Sequence, residues 1–418
     1  MQQNIISIHK IQTTVVADQK IIGKDIVIVG QQPWDVSIGS NCKDIALELS
    51  KYNRVLYVNS ALDRISSIKG RDDEKVKMRK RIISGKEEGL IFLKDNLWTL
   101  YPDVLIESVN WINNAAIFDF FNKRNNRFFA ESIKKAMAVL GFGDVLLFND
   151  NDMFKSFYLQ EFLTPELSIY YSRDYMLAVD YWKKHGERIE PELIRKSSLC
   201  VANSTYLADY CRQYNPASFY IGQGCDLGIF TAADITTVPE IMALKGPKIG
   251  YVGALQSIRL DIELIAQLAE RRPDWQVVLV GPEDDVFRSS RLHQIPNIHF
   301  LGSKPPKELP NYIQSFDVCI NPQLVNQVTI GNYPRKIDEY LAMGKPVVAT
   351  LTQAVGIFED CTYLAASADD FVTMIEQGMK EDTQERISYR KKVAFSHSWE
   401  NSVNELYKAI YHVKNISA

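Results

Sequence analysis

Short apolar runs, each followed by a polar loop and an amphipathic segment, recur along the 418-residue chain. The first half contains five of them, at 25–30, 54–59, 144–149, 167–171 and 199–203. These runs are rich in β-branched residues and lack polar alternation, as in parallel strands buried on both faces. The pattern predicts a helix at 41–51, so the chain is expected to form a strand–helix–strand unit there.

A second series of apolar runs lies at 248–253, 276–281, 297–302, 316–321 and 346–350. Between its first two members, 261–271 has its apolar residues on one helical stripe. The segment 231–246, rich in Thr, Ala and Pro, predicts a linker. We therefore predict an α/β protein of two doubly wound, Rossmann-like domains facing a cleft. The predicted units are 1–230, the linker 231–246, 247–395, and a helix at 396–418 that returns to the first domain.

The overall charge balance excludes a long nucleic acid as partner. The chain has 48 Lys plus Arg against 51 Asp plus Glu, a formal charge of −3, so any polyanion site must be local. Six cysteines without a C-x-x-C pair favour a reducing cytoplasm and indicate no zinc site. The apolar run at 5–8 is too short for a signal peptide, and no run reaches the roughly 18 apolar residues of a membrane span. The sequence does not indicate an oligomeric state.

Familiar catalytic signatures of other enzyme classes are absent from the sequence. There is no Walker A lysine motif, no G-x-G-x-x-G after the first strand, no G-x-S-x-G and no H-E-x-x-H. Their absence argues against kinases, dehydrogenases, hydrolases with a serine triad and zinc proteases.

A glycine and an arginine follow the first strand of the second domain. Gly253 ends that run, and Arg259 lies six residues further on. A glycine at a strand end lets backbone N–H groups approach an anion, and a nearby cation neutralises phosphate charge. Because glycines end strands in most α/β proteins, this pair alone is also explained by a purely structural role.

The segment 329–348 is more specific. Pro334 and Gly344 bracket a predicted helix of about ten residues, since Pro fits the first turn and Gly the left-handed cap. The positive end of this helix faces the loop 329–332, a suitable place for a diphosphate. Glu339 lies about one turn into the helix and suits the two hydroxyls of a ribose. The alternative is an exposed helix with a local Arg335–Glu339 pair.

These residues resemble the GT-B glycosyltransferases of the family 4 type, in particular bacterial members that build capsular, exopolysaccharide or teichuronic acid glycans. The resemblance covers nearly the whole chain and includes four stretches. They are 221–230 (IGQGCDLGIF), 253–265, 333–348 (YPRKIDEYLAMGKPVV) and Ser-Trp-Glu at 398–400.

Carried over from that family, Glu339 matches the second glutamate of the E-x7-E motif, which holds the donor ribose. Arg259 takes the position of the diphosphate lysine. The sequence departs from the family twice, because the first motif glutamate falls on Gly331 and an arginine of the phosphate motif falls on Ala254. Lys336 or Arg335 is expected to compensate for the missing charge. The implied catalytic residues are Arg259, Glu339 and Lys336, and the implied donor-binding residues are Gly253, Thr329, Gly331, Asn332, Arg335, Gly281 and Gly302.

The resemblance implies retaining transfer of a sugar, such as a hexose, from a nucleotide diphosphate sugar to a glycan or lipid-linked acceptor, without a bound metal or other cofactor. Two other hypotheses stay open. One is a nucleotide-sugar epimerase on the same fold, whose carboxylate and histidine constellation we do not find. The other is a non-catalytic nucleotide-sugar-binding subunit, suggested by Gly331 and Ala254.

The resemblance implies that the first domain binds the acceptor with its strand-end loops, which are 31–40, 149–152 and 172–174. Candidate residues are Trp34, which offers a face for a sugar ring, and Asp35 and Asp174, which would polarise a hydroxyl. The alternatives are packing for Trp34, and helix capping or pairing with Arg173 for the aspartates.

Two basic segments suggest contact with an anionic membrane at the inner face of the plasma membrane. The run 69–86 holds eight Lys or Arg against three acidic residues, and 118–135 interleaves five Phe with Lys and Arg. This composition suits a lipid headgroup layer, although such runs are also found on ordinary solvated faces.

Overall fold

The computed structural model describes residues 20–36 and 39–416. The apolar run at 5–8 and positions 37–38 of the loop 31–40 lie outside the described residues. The strands of the first domain are β1 (Asp25–Gly30), β2 (Arg54–Asn59), β3 (Leu62–Asp63), β4 (Leu90–Lys94), β5 (Leu97–Leu100), β6 (Leu105–Ile106), β7 (Val145–Asp150), β8 (Leu167–Ser172), β9 (Leu199–Ala202) and β10 (Ser218–Tyr220). Those of the second are β11 (Lys248–Val252), β12 (Gln276–Val280), β13 (Ile298–Phe300), β14 (Val318–Asn321), β15 (Val347–Thr350) and β16 (Tyr363–Ala365).

The α-helices alternate with these strands in both halves of the chain. Up to the crossover they are α1 (Asn41–Leu49), α2 (Arg64–Lys69), α3 (Glu74–Ile83), α4 (Ala115–Leu140), α5 (Leu159–Leu163), α6 (Asp180–Lys196), α7 (Thr205–Arg212) and α8 (Pro239–Met242). They continue with α9 (Ile262–Arg271), α10 (Asp285–Arg288), α11 (Leu309–Gln314), α12 (Arg335–Ala342), α13 (Ala368–Lys380), α14 (Gln384–Ser396) and α15 (Trp399–Ile416). None of the helices in the described ranges is long and apolar enough to cross a bilayer.

Two mainly parallel sheets organise the described part of the chain. The first has the order β10-β9-β8-β7-β1-β2-β5-β4, and β4 alone in it runs antiparallel to its neighbour. The second has the order β13-β12-β11-β14-β15-β16 and is parallel throughout. The direction of winding reverses between β1 and β7 in one sheet and between β11 and β14 in the other. Ligands of doubly wound domains bind outside the carboxyl ends of the strands at such points.

The predicted α/β class with two Rossmann-like sheets is confirmed. Each predicted apolar run overlaps a strand, and most of the strand residues in these runs are buried because helices cover both faces of the sheets. The β4–β5 hairpin was not predicted. It lies at the sheet edge, where Ile91 and Phe92 stay exposed and the pattern of a buried strand is lost.

The segment 231–246, predicted as a linker, packs closely on the second sheet. Ile241 of α8 is buried in the core of that domain. The backbone N–H groups of Thr236 and Val238 donate to the side chains of Asn311 (3.0 Å) and Ser315 (2.7 Å). The backbone of this segment is therefore held by polar side chains of the second domain and is not a bare connection.

Helix α15 packs on the first domain although it follows the second in the chain. Val403, Leu406, Tyr407 and Ile410 belong to the same buried cluster as α1 and β1. The chain thus passes between the domains twice, at 221–226 and at 396–399.

A buried carboxylate joins these two crossings. Asp338 of α12 has no exposed surface. Its Oδ2 accepts from the Tyr333 hydroxyl at 2.8 Å and the Cys225 thiol at 3.2 Å, and its Oδ1 lies 2.6 Å from Nδ1 of His397. The crossings also touch directly, because the Cys225 N–H donates to the His397 carbonyl at 2.9 Å.

We expect Asp338→Ala to lower the free energy of unfolding by about 2–4 kcal/mol, since it leaves a buried hydroxyl, thiol and imidazole without their acceptor. Urea unfolding measures the loss. The matched control Asp285→Ala removes a carboxylate whose side chain is 97% exposed and should change stability by less than about 0.5 kcal/mol. Equal effects of the two substitutions would contradict a structural role for the Asp338 network.

Candidate functional site

Two glycines bring backbones together at the ends of β11 and β12. Gly253 and Gly281 have φ values of 155° and 153°, and the Gly253 N–H donates to the Val280 carbonyl at 2.8 Å. A Cβ on Gly281 would lie 1.8 Å from the Gly253 carbonyl oxygen. Only glycine fits there, and the carboxyl end of the β11 strand stays free of side chains that would block a ligand.

Helix α12 docks against this strand end. The Val252 N–H donates to the Tyr340 hydroxyl at 2.8 Å, and Ile337 and Leu341 are buried in the core below. The helix ends as predicted at a left-handed glycine, Gly344 with φ 74°, whose N–H donates to the Leu341 carbonyl at 2.8 Å. This fixes the direction in which the opposite face of α12 points.

That face carries an ion pair beside Gly253. Lys336 Nζ lies 2.8 Å from Glu339 Oε2, and their side chains are 30% and 15% exposed. The Cε atom of Lys336 lies 3.2 Å from where a Cβ on Gly253 would be. The pair is i,i+3, and the Arg335–Glu339 pair of the alternative interpretation is not found among the described residues.

Arg259 belongs to the loop that follows β11. Its N–H donates to the Gln256 carbonyl at 2.9 Å, and its carbonyl accepts from the Leu324 N–H at 2.8 Å, so the backbone is anchored. Its guanidinium has no hydrogen bond or ion pair within the described ranges. Its charge nevertheless acts on Asp174 across the cleft. Burial, the larger effect, raises the pKa of Asp174, and the charge of Arg259 opposes that rise.

The loop 329–332 before α12 was predicted to bind a diphosphate, but in the structure its polar groups form hydrogen bonds within the loop. Thr329 is fully buried, and its hydroxyl donates to the Leu324 carbonyl while it accepts from the Asn326 N–H at 3.1 Å. The Asn332 N–H donates to the Thr329 carbonyl at 3.0 Å. These groups hold the loop itself, so the Thr329 side chain is not available to a diphosphate in this conformation.

Gly331 lies under helix α7 of the other domain. Its carbonyl accepts from the Ser204 hydroxyl at 2.8 Å, and a Cβ on it would lie 2.7 Å from Cδ1 of Tyr206. The position of the first motif glutamate is thus closed by the N-terminal domain. Nearby, the Gln353 amide donates to the Asp209 carboxylate at 2.8 Å, which adds to the same interdomain contact.

Two further predicted donor residues lie apart from the ion pair. Arg335 is exposed and faces α1, where it acts on the carboxyl group of Asp44. Burial, the larger effect, raises the pKa of Asp44 to about 6, and the charge of Arg335 opposes that rise. Gly302 follows the edge strand β13 and is exposed, whereas Gly281 adjoins Gly253 directly.

The opposite wall of the cleft carries a charged network that sequence reasoning found only in part. The guanidinium of Arg173 donates to Asp150 Oδ1 at 2.7 Å, to Asp174 Oδ2 at 2.5 Å and to Gln31 Oε1 at 3.1 Å. The Gln31 N–H donates to Asp150 Oδ2 at 3.2 Å. Burial raises the pKa of Asp174 despite the attraction of Arg173.

Asp150 and Gln31 belong to the strand-end loops 149–152 and 31–40, which were expected to form this wall, but neither was singled out as a site residue. Asp150 ends β7 and Gln31 follows β1, the two strands that flank the reversal point of the first sheet. Asp174 was predicted to polarise an acceptor hydroxyl or to pair with Arg173, and in the ligand-free protein it forms the pair.

Trp34 and Asp35 have structural partners. The Trp34 ring packs edge-on against Tyr57 at 5.0 Å and joins the core of the first domain. Asp35 lies 3.7 Å from Arg79 and 3.9 Å from Lys75 of α3. The basic run is therefore partly neutralised by the loop beside it.

Some aromatic residues of the predicted membrane-binding surface are buried and cannot contact a membrane. Phe118 and Phe129 of α4 are buried in the core, while Phe120 remains 67% exposed.

Within 20–36 and 39–416 no group of three or more His, Cys, Asp or Glu is arranged to hold a metal ion.

Comparison with known proteins places this site in a family context. Residues 246–381 match the family model described as Glycosyl transferases group 1. Those residues contain the glycine pair, Arg259 and α12.

One curated relative and many solved structures resemble the chain. TuaH of Bacillus subtilis (strain 168), named for teichuronic acid biosynthesis, is 28% identical over 191 residues, or 43% of this chain and 47% of TuaH. The match thus spans less than half of that relative's length. HepE of Anabaena, solved with UDP, superposes with a TM-score of 0.62 at 15% identity, covering 93% of this chain and all of that one.

Sucrose-phosphate synthase from Thermosynechococcus elongatus superposes with a TM-score of 0.61 at 14% identity, over 94% of this chain and 100% of that structure. At such low identity these likenesses describe the fold, which is GT-B. The predicted GT-B fold and the resemblance to family 4-type glycosyltransferases are confirmed.

We expect Asp44→Asn to flatten part of the pH dependence of stability. The folded-state pKa of Asp44, about 6, lies above its unfolded value, so the folded protein binds more protons between these two values and stability falls as pH rises through that window. The stability of the variant relative to wild type should therefore rise by about 1–2 kcal/mol between pH 4 and pH 6.5. Denaturant unfolding at several pH values checks this, and a pH-independent difference would contradict it.

The contact between Gly331 and Tyr206 predicts strong coupling. Gly331→Ala should cost about 1–3 kcal/mol of unfolding free energy, because its methyl group overlaps the Tyr206 ring. In a Tyr206→Ala background the same substitution should cost at least about 1 kcal/mol less. Additive effects in this double-mutant cycle would show that the two domains do not touch at this point in solution.

Proposed function

We propose that this protein is a glycosyltransferase that moves a sugar from a nucleotide diphosphate sugar to an acceptor in bacterial polysaccharide biosynthesis. The observation that carries the proposal is the Lys336–Glu339 pair beside Gly253, with Arg259 anchored on the neighbouring loop, inside the group 1 domain. The relation to TuaH supports the polysaccharide context.

Each of these groups has a role set by its chemistry. Glu339 accepts the two ribose hydroxyls, since a carboxylate offers two acceptor oxygens at a fixed spacing. Arg259, whose guanidinium has no protein partner in the described part of the chain, binds the diphosphate and stabilises the charge that develops as it leaves. Lys336 orients Glu339 in the free protein and adds positive charge beside the strand end.

Because Gly331 has no side chain and is covered by helix α7, other groups recognise the transferred sugar in this proposal. The transferred sugar extends from the diphosphate toward the first domain, where Arg173, Asp174 and Gln31 form the facing wall. Asp174 is the candidate to accept a hydrogen bond from the acceptor hydroxyl once its bond to Arg173 is exchanged. We propose retention of anomeric configuration, following the family resemblance.

We also propose a cytoplasmic location, with a glycan or lipid-linked acceptor presented at the inner face of the plasma membrane. The six cysteines, all free, suit a reducing compartment. The exposed Phe120 beside the basic positions of α4 supports contact with an anionic membrane.

Release of nucleoside diphosphate from a panel of nucleotide sugars tests the central proposal. We expect turnover with one donor class, and a fall of about 10²–10³-fold in kcat/KM for Arg259→Ala and Glu339→Gln. Glu359→Gln, an exposed carboxylate elsewhere in the domain, should leave kcat/KM within about twofold. Proton NMR of the fresh product reports whether the anomeric configuration is kept.

The same assay separates the other hypotheses. Donor binding without any release, with or without acceptor extracts, would indicate a non-catalytic subunit. Conversion of the donor to an isomer without transfer would indicate an epimerase. Full activity in Glu339→Gln would remove this helix from the donor site.

We propose that catalysis needs no bound metal, because Arg259 and Lys336 supply positive charge at the strand end. Dialysis against EDTA should then leave kcat/KM within about twofold of the untreated value. A large loss that Mg²⁺ or Mn²⁺ restores would contradict this proposal.

A further inference from the structure

A groove in the first domain has no role in the donor site. Its inner part is a cavity of about 630 Å³ whose lining includes Gln31, Ser60 and Lys155. Its outer part, about 650 Å³, is lined by Ile112, Ile117 and Phe121. Both parts share Ile65, Val109 and Trp111, and each has the size of a small-molecule site.

The inner part contains two buried polar atoms without a partner. Gln31 Nε2 and Asn110 Oδ1 are inaccessible and form no hydrogen bond. Their orientation is settled by their other ends, since Gln31 Oε1 accepts from Arg173 at 3.1 Å and Asn110 Nδ2 donates to the Tyr181 carbonyl at 2.7 Å. Leaving such atoms unpaired costs about 1–3 kcal/mol each. Both atoms are covered in this conformation, so a ligand hydroxyl reaches them only when the lining shifts, and it would then satisfy one donor and one acceptor.

A lysine lies among the same polar groups. Lys155 Nζ donates to the Ser60 hydroxyl at 2.6 Å and to the Ala61 carbonyl at 3.2 Å. These two neutral acceptors leave the third ammonium N–H for a ligand oxygen.

The outer part exposes mainly apolar surface, although Arg64, Glu107 and Arg124 are among its lining residues, and its rim is exposed. Trp111 is 70%, Ile117 50% and Ile65 41% exposed. The Trp111 Nε1 donates to the Ser108 carbonyl at 2.7 Å, which satisfies the polar atom of the indole and leaves its hydrocarbon surface to solvent. A contiguous exposed apolar patch of this kind marks a binding surface.

The groove connects to the proposed reaction centre through one residue. Gln31 lines the inner part and binds Arg173, which in turn holds Asp174 at 2.5 Å, and Asp174 lies within the electrostatic reach of Arg259. A hydroxylated group at Gln31 is therefore the part of a ligand nearest to the donor diphosphate.

We propose that this groove binds an amphiphilic acceptor, with its hydroxylated head against Gln31, Asn110 and Lys155 and its hydrocarbon chain along Trp111, Ile117 and Phe121. Gln31, Asn110 and Lys155 line only the inner part, whereas Ile117 and Phe121 line only the outer part, and this arrangement gives the orientation. The role as acceptor site rests on the proposed function, whereas binding of an amphiphile does not.

Isothermal titration calorimetry with n-dodecyl β-D-maltoside below its micelle concentration tests the proposal on the full-length protein. We expect saturable binding of one molecule, at least tenfold tighter than maltose, which lacks the chain, and than n-dodecylphosphocholine, which lacks the hydroxylated head. Trp111→Ala and Ile117→Asp should each weaken binding about tenfold or more, because both positions line the chain-binding part. Phe395→Ala, at an exposed aromatic residue on α14, should change it less than twofold.

Gln31→Leu distinguishes the two ends of the ligand. It should weaken the maltoside by about tenfold and leave dodecylphosphocholine unchanged, with thermal unfolding as a check on the fold. Equal binding of maltoside and phosphocholine, or loss of both in Gln31→Leu, would overturn the assignment of the head site. Equal affinity of maltose and maltoside, or no binding at all, would overturn the groove as an amphiphile site.

Titration of UDP and other nucleoside diphosphates into the same samples keeps the two proposals separate. Nucleotide binding without amphiphile binding overturns only the inference about the groove. Amphiphile binding without any nucleotide binding overturns the proposed function and leaves the groove as a site for another purpose. Release of nucleoside diphosphate that the maltoside stimulates in wild type, and not in Trp111→Ala, supports both.

Discussion

A single buried carboxylate holds the donor helix and both crossings of the chain in one arrangement. Asp338 binds Cys225 in the first crossing, His397 in the second and Tyr333 in the loop before α12. One residue further on, Glu339 faces the candidate donor site. Because consecutive helical residues point about 100° apart, α12 directs the Asp338 carboxylate toward the two crossings and the Glu339 carboxylate toward the candidate donor site. Any rotation of this helix would therefore disturb the crossings and the donor site together.

The two domains carry charges of opposite sign on the walls that face each other across the cleft. On the second domain the Lys336–Glu339 pair is neutral as a unit, so the unpaired charge at the strand end is that of Arg259. On the first domain Asp150, Asp174 and Arg173 carry one net negative charge when both acids are ionised, facing that arginine. This attraction favours a narrow cleft without a ligand, and a diphosphate would compete for Arg259 directly. The near-neutral total of the chain thus conceals opposite charges at the point where chemistry is proposed.

The sequence predicts most of the sheets and the donor helix because their signals are local. Apolar runs set the strands, and Pro334 with Gly344 set the limits of α12. The roles of Thr329 and Gly331 were not predictable, since they depend on Asn326 within the loop and on Tyr206 in the other domain. The loops of the cleft network were predicted, but within them Gln31 and Asp150 were not singled out, because they are ordinary strand-end residues until the sheet order brings them to one Arg173. Contacts across more than a hundred residues leave no periodic trace in a single sequence.

Helix α7 lies where a side chain would extend from position 331, the position of the first glutamate in the family motif. The family resemblance assigns a glutamate to position 331, and in this structure Tyr206 of the facing domain occupies the space where a side chain at that position would begin. Ser204 of the same helix cap bonds the Gly331 carbonyl. The surroundings of position 331 therefore form only when the two domains are in contact. Under the proposed function, the shape of the donor site at this end then depends on helix α7 of the first domain as well as on the second domain.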